Sequence, residues 1–457
     1  MNKEIFREYD IRGIAQRDID NNTALLIGKA YATMISRQGG SRIVVGNDNR
    51  DSGPRILKSL LDGILSTGIN VTYIGEIPTP MLYYAVYKLG CDGGISVTAS
   101  HNPPEFNGFK VMVGKDAIYG KKIEEIYKIA NEGKFAVGKN PGSIEEKNLE
   151  NQYIDEIASI VRPKKKLKIV VDAGNGMASE IAPKLLKKLG CKLVCLYCEK
   201  ISSYPNHLPD PVQEKNVADL KARVKKEKAD MGIAFDGDSD RIGVVDEKGN
   251  LIYGDRLLAI FAQDALLRHP GGKVIFEVKC SQALEDHVKK SGGIPIMWKT
   301  GHSLIKAKMK EEGALIAGEM SGHMFFTEKW YGFDDAFLAA ARIVEIVANS
   351  TGKISELDGK IARYYSSPEY RVDFDDREKF GFVKKATEHF SKKYKIIDVD
   401  GCRVVFENGW ALVRASNTQS KLIIRMEGKT QKDLEAIKGI FLGEIEKFSG
   451  KKFKLEE

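Results

Sequence analysis

Residues 41–75 read SRIVVGNDNRDSGPRILKSLLDGILSTGINVTYIG. An apolar run meets a polar turn, an amphipathic segment follows, and after a Gly comes a second apolar run. The same order returns at residues 167–197, LKIVVDAGNGMASEIAPKLLKKLGCKLVCLY, and at residues 272–300, GKVIFEVKCSQALEDHVKKSGGIPIMWKT. Apolar positions in the middle segments recur at three and four, as in Ile181, Leu185 and Leu189, which is the period of a helix with one buried face. The Gly after each such segment is a helix stop signal. Strand, turn, helix, strand, three times over, predicts three α/β domains of related build.

Outside the repeats the pattern changes. YRVDFDD, IIDVDGCRVVFENGWALVRAS and KLIIRMEG read as strands, with helices at Thr387 to Phe390 and from Gln431 to Phe448. A smaller α+β domain is predicted there, after a linker at Ser366 to Arg371. The expected domains are 1–150, 151–252, 253–366 and 367–457. A chain of 457 residues needs several cores, because single cores stop growing at roughly 250–300 residues. With 42% hydrophobic and 29% charged residues the composition is that of a soluble globular protein. The charged N-terminus excludes a signal peptide, and no apolar run has the roughly 18 residues of a membrane span. A cytoplasmic location is expected, with no membrane partner. The net charge of +8 is scattered apart from RPKKKLK at 162–168, which reads as a solvated linker and not as a nucleic-acid patch. Cys191, Cys195 and Cys198 have the spacing of an iron–sulfur site but lie in a strand-like run, so they read as small buried thiols.

Four strings carry chemistry. In GGISVTASHNPPEFNGFKVMV (93–113) an apolar strand runs into Ser100 and His101. Pro103 and Pro104 stiffen the loop, Gly108 permits an unusual backbone angle, and Lys110 follows. A serine so held can carry a covalent group when a base or metal activates it. In MGIAFDGDSDRIGVVDEKGNLI (231–252), Asp236, Asp238 and Asp240 alternate along an extended loop between two strands. Three converging carboxylates repel unless a cation joins them, and hard oxygens suit Mg²⁺. Arg241 balances charge or holds a phosphate. An EF-hand is excluded because Arg241 stands where its loop needs Gly. In ALIAGEMSGHMFF (314–326), Glu319, Ser321 and His323 alternate and can read sugar hydroxyls. In GWALVRASNTQSKLIIRMEG (409–428), Arg414, Ser416, Asn417, Thr418 and Arg425 surround one turn and suit a phosphate.

Together, REYDIRG (7–13), TASHNP (98–103), DGDSDR (236–241), GEMSGH (318–323) and RASNT (414–418) resemble the α-D-phosphohexomutase superfamily, in its phosphomannomutase/phosphoglucomutase branch. The resemblance covers nearly the whole chain. It implies three related α/β domains with mixed sheets plus a smaller C-terminal α+β domain around a central cleft. It implies phosphoserine at Ser100, and Mg²⁺ on Asp236, Asp238, Asp240 and a Ser100 phosphate oxygen. Glu319, Ser321 and His323 would contact the sugar, and the Arg414 turn with Arg425 would grip the non-reacting phosphate. Arg12, His101, Lys110, Arg241, Lys279 and His302 would surround the reacting groups, with Lys110 the first candidate for proton transfer ahead of His302 and His323. Hexose phosphates are the implied partners, glucose 1,6-bisphosphate the activator, and a monomer or homodimer the state. Met320 favours mannose or glucose, since a glucosamine enzyme resembles GEQSGH. Ser420 departs from the family, which often has Pro there. A phosphoglucosamine mutase and a sugar-phosphate phosphatase are the alternatives.

Overall fold

The computed structural model describes all residues of the chain except 418, 454, 456 and 457. Each predicted repeat forms. Arg42–Asn47 pairs in parallel with Asn70–Glu76, Lys168–Asp172 with Lys192–Leu196, and Lys273–Glu277 with Ile294–Trp298. The helices between them are Gly53–Leu65, Ala178–Lys188 and Gln282–Lys290.

Each repeat is longer than the sequence pattern shows. A third strand, parallel to the first, lies on its other side: Gly93–Val97, Met231–Phe235 and Ile316–Gly318. A fourth runs antiparallel beyond it: Phe106–Val113, Ile242–Asp246 and Met324–Phe326. All three sheets therefore share the order fourth, third, first, second. The turn from third to fourth strand leaves the carboxyl end of a parallel strand, where open α/β sheets bind ligands. Those turns hold Ser100, the three aspartates, and Glu319 to His323. The first sheet also gains Ile11–Ile14, which carries Arg12 and pairs with Phe106–Val113.

The fourth sheet is antiparallel through Lys395–Ile397, Cys402–Phe406, Gly409–Ala415 and Lys421–Gly428, covered by helices Lys379–Phe390 and Gln431–Ser449. The first helix begins eight residues before the predicted Thr387, because Phe382, Ala386 and Phe390 repeat every four residues and all lie buried. The expected linker is instead part of the sheet. Tyr365–Ser366 and Tyr370–Asp373 both pair with the Lys421–Gly428 strand, so the fourth sheet takes in two residues that the sequence placed in the third domain.

One apolar cluster runs through the first three sheets. It joins Tyr83 and Tyr84 to Ile233 and Phe235, and those to Phe276 and Phe337. The fourth sheet has its own core around Phe390, Val413, Ile424 and Phe441. Among the described residues no helix is long and apolar enough to cross a membrane. Of the clustered thiols, Cys195 is exposed and Cys191 and Cys198 are only half-buried. The reason is that Lys192–Leu196 is the edge strand of its sheet.

Glycines let the loops of different domains touch. A Cβ on Gly237 would lie 2.4 Å from the carbonyl oxygen of Ser100, whereas Gly381 faces open space. Gly237→Ala is therefore expected to lower the unfolding free energy by about 1–3 kcal/mol. Gly381→Ala, inside an exposed helix, should raise it by about 0.5–1 kcal/mol. Urea midpoints of the two variants check this.

Candidate active site

The Ser100 loop is built around a buried arginine. Arg50, fully buried, donates to the carbonyl oxygens of Ser100 at 2.9 Å, Asn102 at 2.6 Å, Pro103 at 2.6 Å and Phe106 at 2.9 Å. Asp48 fixes Arg50 at 3.2 Å and accepts from the Thr98 hydroxyl at 2.7 Å, and Thr98 in turn accepts from Ser100 N at 3.0 Å. Ser100 itself has φ 54°, a left-handed conformation uncommon for a residue with a side chain. Gly108, predicted to need such an angle, is instead an ordinary strand residue. Its missing Cβ makes room for Ile11 O, which a Cβ would approach to 2.1 Å.

The strain points Ser100 Oγ at Asp236, to which it donates at 3.0 Å, with His101 Nδ1 at 3.2 Å. Asp236, Asp238 and Asp240 are completely buried, and one oxygen of each lies within 4.8 Å of the others. They converge through a turn and not through an extended loop. Ser239 N donates to Asp236 O at 3.1 Å, and Ser239 has φ 61°. Lys110 Nζ donates to Asp238 at 2.6 Å and also to Asp240. Burial drives the Asp236 carboxyl well up, helped by Asp240 and Asp238. Burial opposes ionisation of Asp238 too, but Lys110 and the Thr79 hydroxyl hold it well below the usual carboxylate range. Burial works against the Lys110 ammonium and is outweighed by Asp238 and Asp240, so its pKa rises. Asp238 Oδ1 and Asp240 Oδ1 are buried with no hydrogen-bond partner among the described residues. Hard oxygen donors with unfilled valences in a common pocket fit a divalent cation.

The third-domain residues enter by a tight turn. Glu319 to His323 was read as alternating along one face. The structure shows a reversal in which Glu319 N donates to His323 O at 3.0 Å and Gly322 has φ 92°. Arg241 bonds Asp236 through its backbone N–H at 3.0 Å and His323 Nε2 through Nε at 3.0 Å, joining second and third domains. Glu319 accepts from Gly301 N at 2.6 Å; burial raises its pKa against the pull of His323. Ser321 is half-buried in the same turn. His302 opens the helix His302–Glu312 and stacks on His323 with ring centroids 5.5 Å apart. Burial and the Lys306 charge hold the His302 pKa well below its usual value, and burial with Arg241 and Arg12 does the same for His101. Arg12 reaches Asn102 Oδ1 at 2.8 Å and pairs with Asp10.

The two arginines of the fourth domain part company. Arg414 pairs with Asp400 at 3.0 Å, while Arg425 crosses to Lys279 O and Met320 in the third domain. Lys279 Nζ meets Glu369 at 2.9 Å. Ser416 Oγ accepts from Gln419 N at 3.1 Å, and Asn417 donates to Tyr9 at 2.6 Å. Thr418 lies outside the described residues.

Sequence reasoning missed three residues. Tyr9 donates to Thr300 O at 2.6 Å while accepting from Asn417, so one hydroxyl ties the first, third and fourth domains. It sits in REYDIRG, and that string was its only signal. Asp334 is fully buried, accepts from Lys306 at 2.7 Å, and faces His323 Nδ1 at 3.0 Å. Lys306 Nζ also lies 3.2 Å from His302 Nδ1.

The sequence matches four domains of one family, phosphoglucomutase/phosphomannomutase. Alpha/beta/alpha domain I covers residues 3–137, domain II residues 151–249, domain III residues 253–364, and the C-terminal domain residues 369–443. Phosphomannomutase/phosphoglucomutase of Pseudomonas syringae pv. tomato is 43% identical over 445 residues, covering 97% of this chain and 95% of its own length. This chain belongs to the phosphoglucomutase/phosphomannomutase family. Phosphoglucomutase of Neisseria gonorrhoeae is also 43% identical, covering 97% of each chain. A solved phosphoglucomutase/phosphomannomutase family protein of Burkholderia thailandensis is 38% identical, with a TM-score of 0.93 over the full length of both. The four matched domains follow the four sheets, and the three repeats of the sequence are the first three domains of this family.

Asp334→Asn would leave Lys306 buried without its counter-charge, so it is expected to cost about 3–5 kcal/mol of stability. Adding Lys306→Met should recover most of that loss. Urea unfolding of the single and double variants measures both, and an Asp334→Asn protein as stable as the parent overturns the pairing.

Proposed function

We propose that the chain is a magnesium-dependent, cytoplasmic hexose-phosphate mutase that interconverts the 1- and 6-phosphates of mannose and glucose. The observation that carries the reading is the Ser100 hydroxyl, held in a left-handed turn and aimed into a buried carboxylate cluster. The Pseudomonas relative bears the names of both sugar activities, and the Neisseria relative that of the glucose activity.

In this reading Ser100 carries a phosphoryl group. A free hydroxyl of the bound sugar monophosphate attacks phosphorus, the bond to Ser100 Oγ breaks, and a 1,6-bisphosphate forms. The bisphosphate turns end for end. Its other phosphate then returns to Ser100, so no phosphate is lost. Phosphoryl transfer leaves the protein mainly positioning and charge to supply. Lys110, the first candidate for proton transfer, has its pKa raised by Asp238 and Asp240, so His302, and beside it His101, whose pKa values burial holds low, are better set to take the proton from the attacking hydroxyl. Arg12, Lys110 and Arg241 face the moving charge. Glu319, Ser321 and His323 orient the sugar hydroxyls. Arg414, Ser416, Asn417, Arg425 and Lys279 hold the phosphate that is not reacting. Asp236, Asp238 and Asp240 would hold Mg²⁺ together with a Ser100 phosphate oxygen. The ion would neutralise charge on the transferring group.

Mannose 1-phosphate, glucose 1-phosphate and glucosamine 1-phosphate, each with Mg²⁺ and a trace of glucose 1,6-bisphosphate, test this. The first two should give 6-phosphates without inorganic phosphate. Ser100→Ala should fold and lose turnover by roughly 10³-fold or more. Phosphate release without isomerisation would show a phosphatase instead. Mg²⁺ at a hundred times its Kd should add about 2.7 kcal/mol of stability to EDTA-treated protein, and Asp238→Asn should abolish that gain.

A further inference from the structure

A cavity of about 970 Å³ opens between the first and third domains, along one side of the His302–Glu312 helix. Its lining includes Ser303, Lys306 and Lys310 of that helix but none of the residues assigned above to the sugar, the metal or the phosphates. The volume is that of a small-molecule site. We propose that this cavity is a second ligand site and that it takes a nucleoside diphosphate.

Three sets of side chains point to that chemistry. Tyr87, Tyr331 and Phe333 form an aromatic wall, with Tyr331 and Phe333 parallel within 5° at 5.9 Å and Tyr87 4.9 Å from Tyr331. Such faces stack on a planar base. Lys115, Lys121 and Lys122 line the same space and have no carboxylate in ion-pair range among the described residues, whereas Lys306 and Lys310 are matched by Asp334 and Asp116. Lys115 Nζ lies 5.1 Å from the Tyr87 ring, so a cation stands at the edge of the aromatic wall. Unmatched ammonium groups attract a diphosphate. Glu8 and Glu124, the remaining acids of the lining, are suited to accept hydrogen bonds from a ribose diol.

The cavity wall also contains unmet polar groups. Tyr83 and Ser303 are each about 1% exposed, and the Tyr83 hydroxyl and Ser303 Oγ have no hydrogen-bond partner among the described residues. Buried polar atoms are nearly always bonded, so Ser303 beside the open cavity favours a polar occupant, whereas the Tyr83 hydroxyl lies toward Asp334, Asp240 and Asp238. The wall is also close to the active cleft. Lys306 Nζ sits 4.0 Å over the Tyr83 ring and bonds Asp334, which faces His323.

Titration calorimetry of the full chain with adenosine 5′-diphosphate tests the assignment. Saturable binding is expected. Lys115→Glu, an exposed change, and Tyr87→Ala should each weaken it at least tenfold, and Arg414→Ala in the main cleft should leave it unchanged. No binding up to millimolar nucleotide, an affinity indifferent to both cavity variants, or loss of binding in Arg414→Ala would overturn the proposal. The mutase reading is untouched by any of these outcomes, because its own assay contains no nucleotide.

Discussion

Four carboxylates that no water reaches lie at the meeting point of the domains, and the rest of the molecule is arranged around neutralising them. Asp236, Asp238, Asp240 and Asp334 are all fully buried. Like charges at such distances in a poorly polarisable interior cannot all stay ionised without cations. The protein supplies two lysines from two domains: Lys110 for Asp238 and Asp240, and Lys306 for Asp334. Asp236, the one without a lysine, is the carboxylate that receives the Ser100 hydroxyl and whose pKa climbs. A divalent ion among the three second-domain aspartates would add to the positive charge that Lys110 and Arg241 bring to them.

The same constraint explains why the loops interlock. No single domain holds a complete set of charges, so each loop must approach its neighbours at backbone distance. Gly237 against Ser100 O and Gly322 against Ile242 O leave no room for a Cβ. Arg241 and His323 form a bridge between strands of different sheets. The continuous apolar cluster beneath the first three domains holds these contacts in place. The fourth domain has a separate core but meets the third through an apolar contact of Trp410 and Leu412 with Val278, and through polar links such as Tyr9 with Asn417 and Arg425 with Lys279.

Threefold repetition gives the site its economy of design. Each repeat places one turn at the carboxyl end of its third strand, and in the three copies that turn carries the Ser100 hydroxyl, the three aspartates, and the Glu319–His323 pair. Equivalent turns at one end of three like sheets therefore present unlike residues to one another.

Much of this was legible in the chain itself. The apolar runs, the helical period near 3.6 and the Gly stops located the parallel strand pairs and their helices, because burial of a segment or of one face is a local property. The strings around Ser100, Asp236, His323 and Arg414 were visible because several reactive side chains fell close together in sequence. The third and fourth strands of each repeat carried no shared pattern that exposed their equivalence. Asp334, Lys306 and Tyr9 escaped because each acts on residues tens or hundreds of positions away. Gly108 showed that a glycine is needed, but only the paired strand showed that the need is space and not angle. The amino-acid sequence alone determined the repeats, the kinds of chemistry and the residues able to perform it. Tertiary structure decided which charges neutralise one another, because Coulomb energies and hydrogen bonds depend on distances that chain neighbourhood does not set.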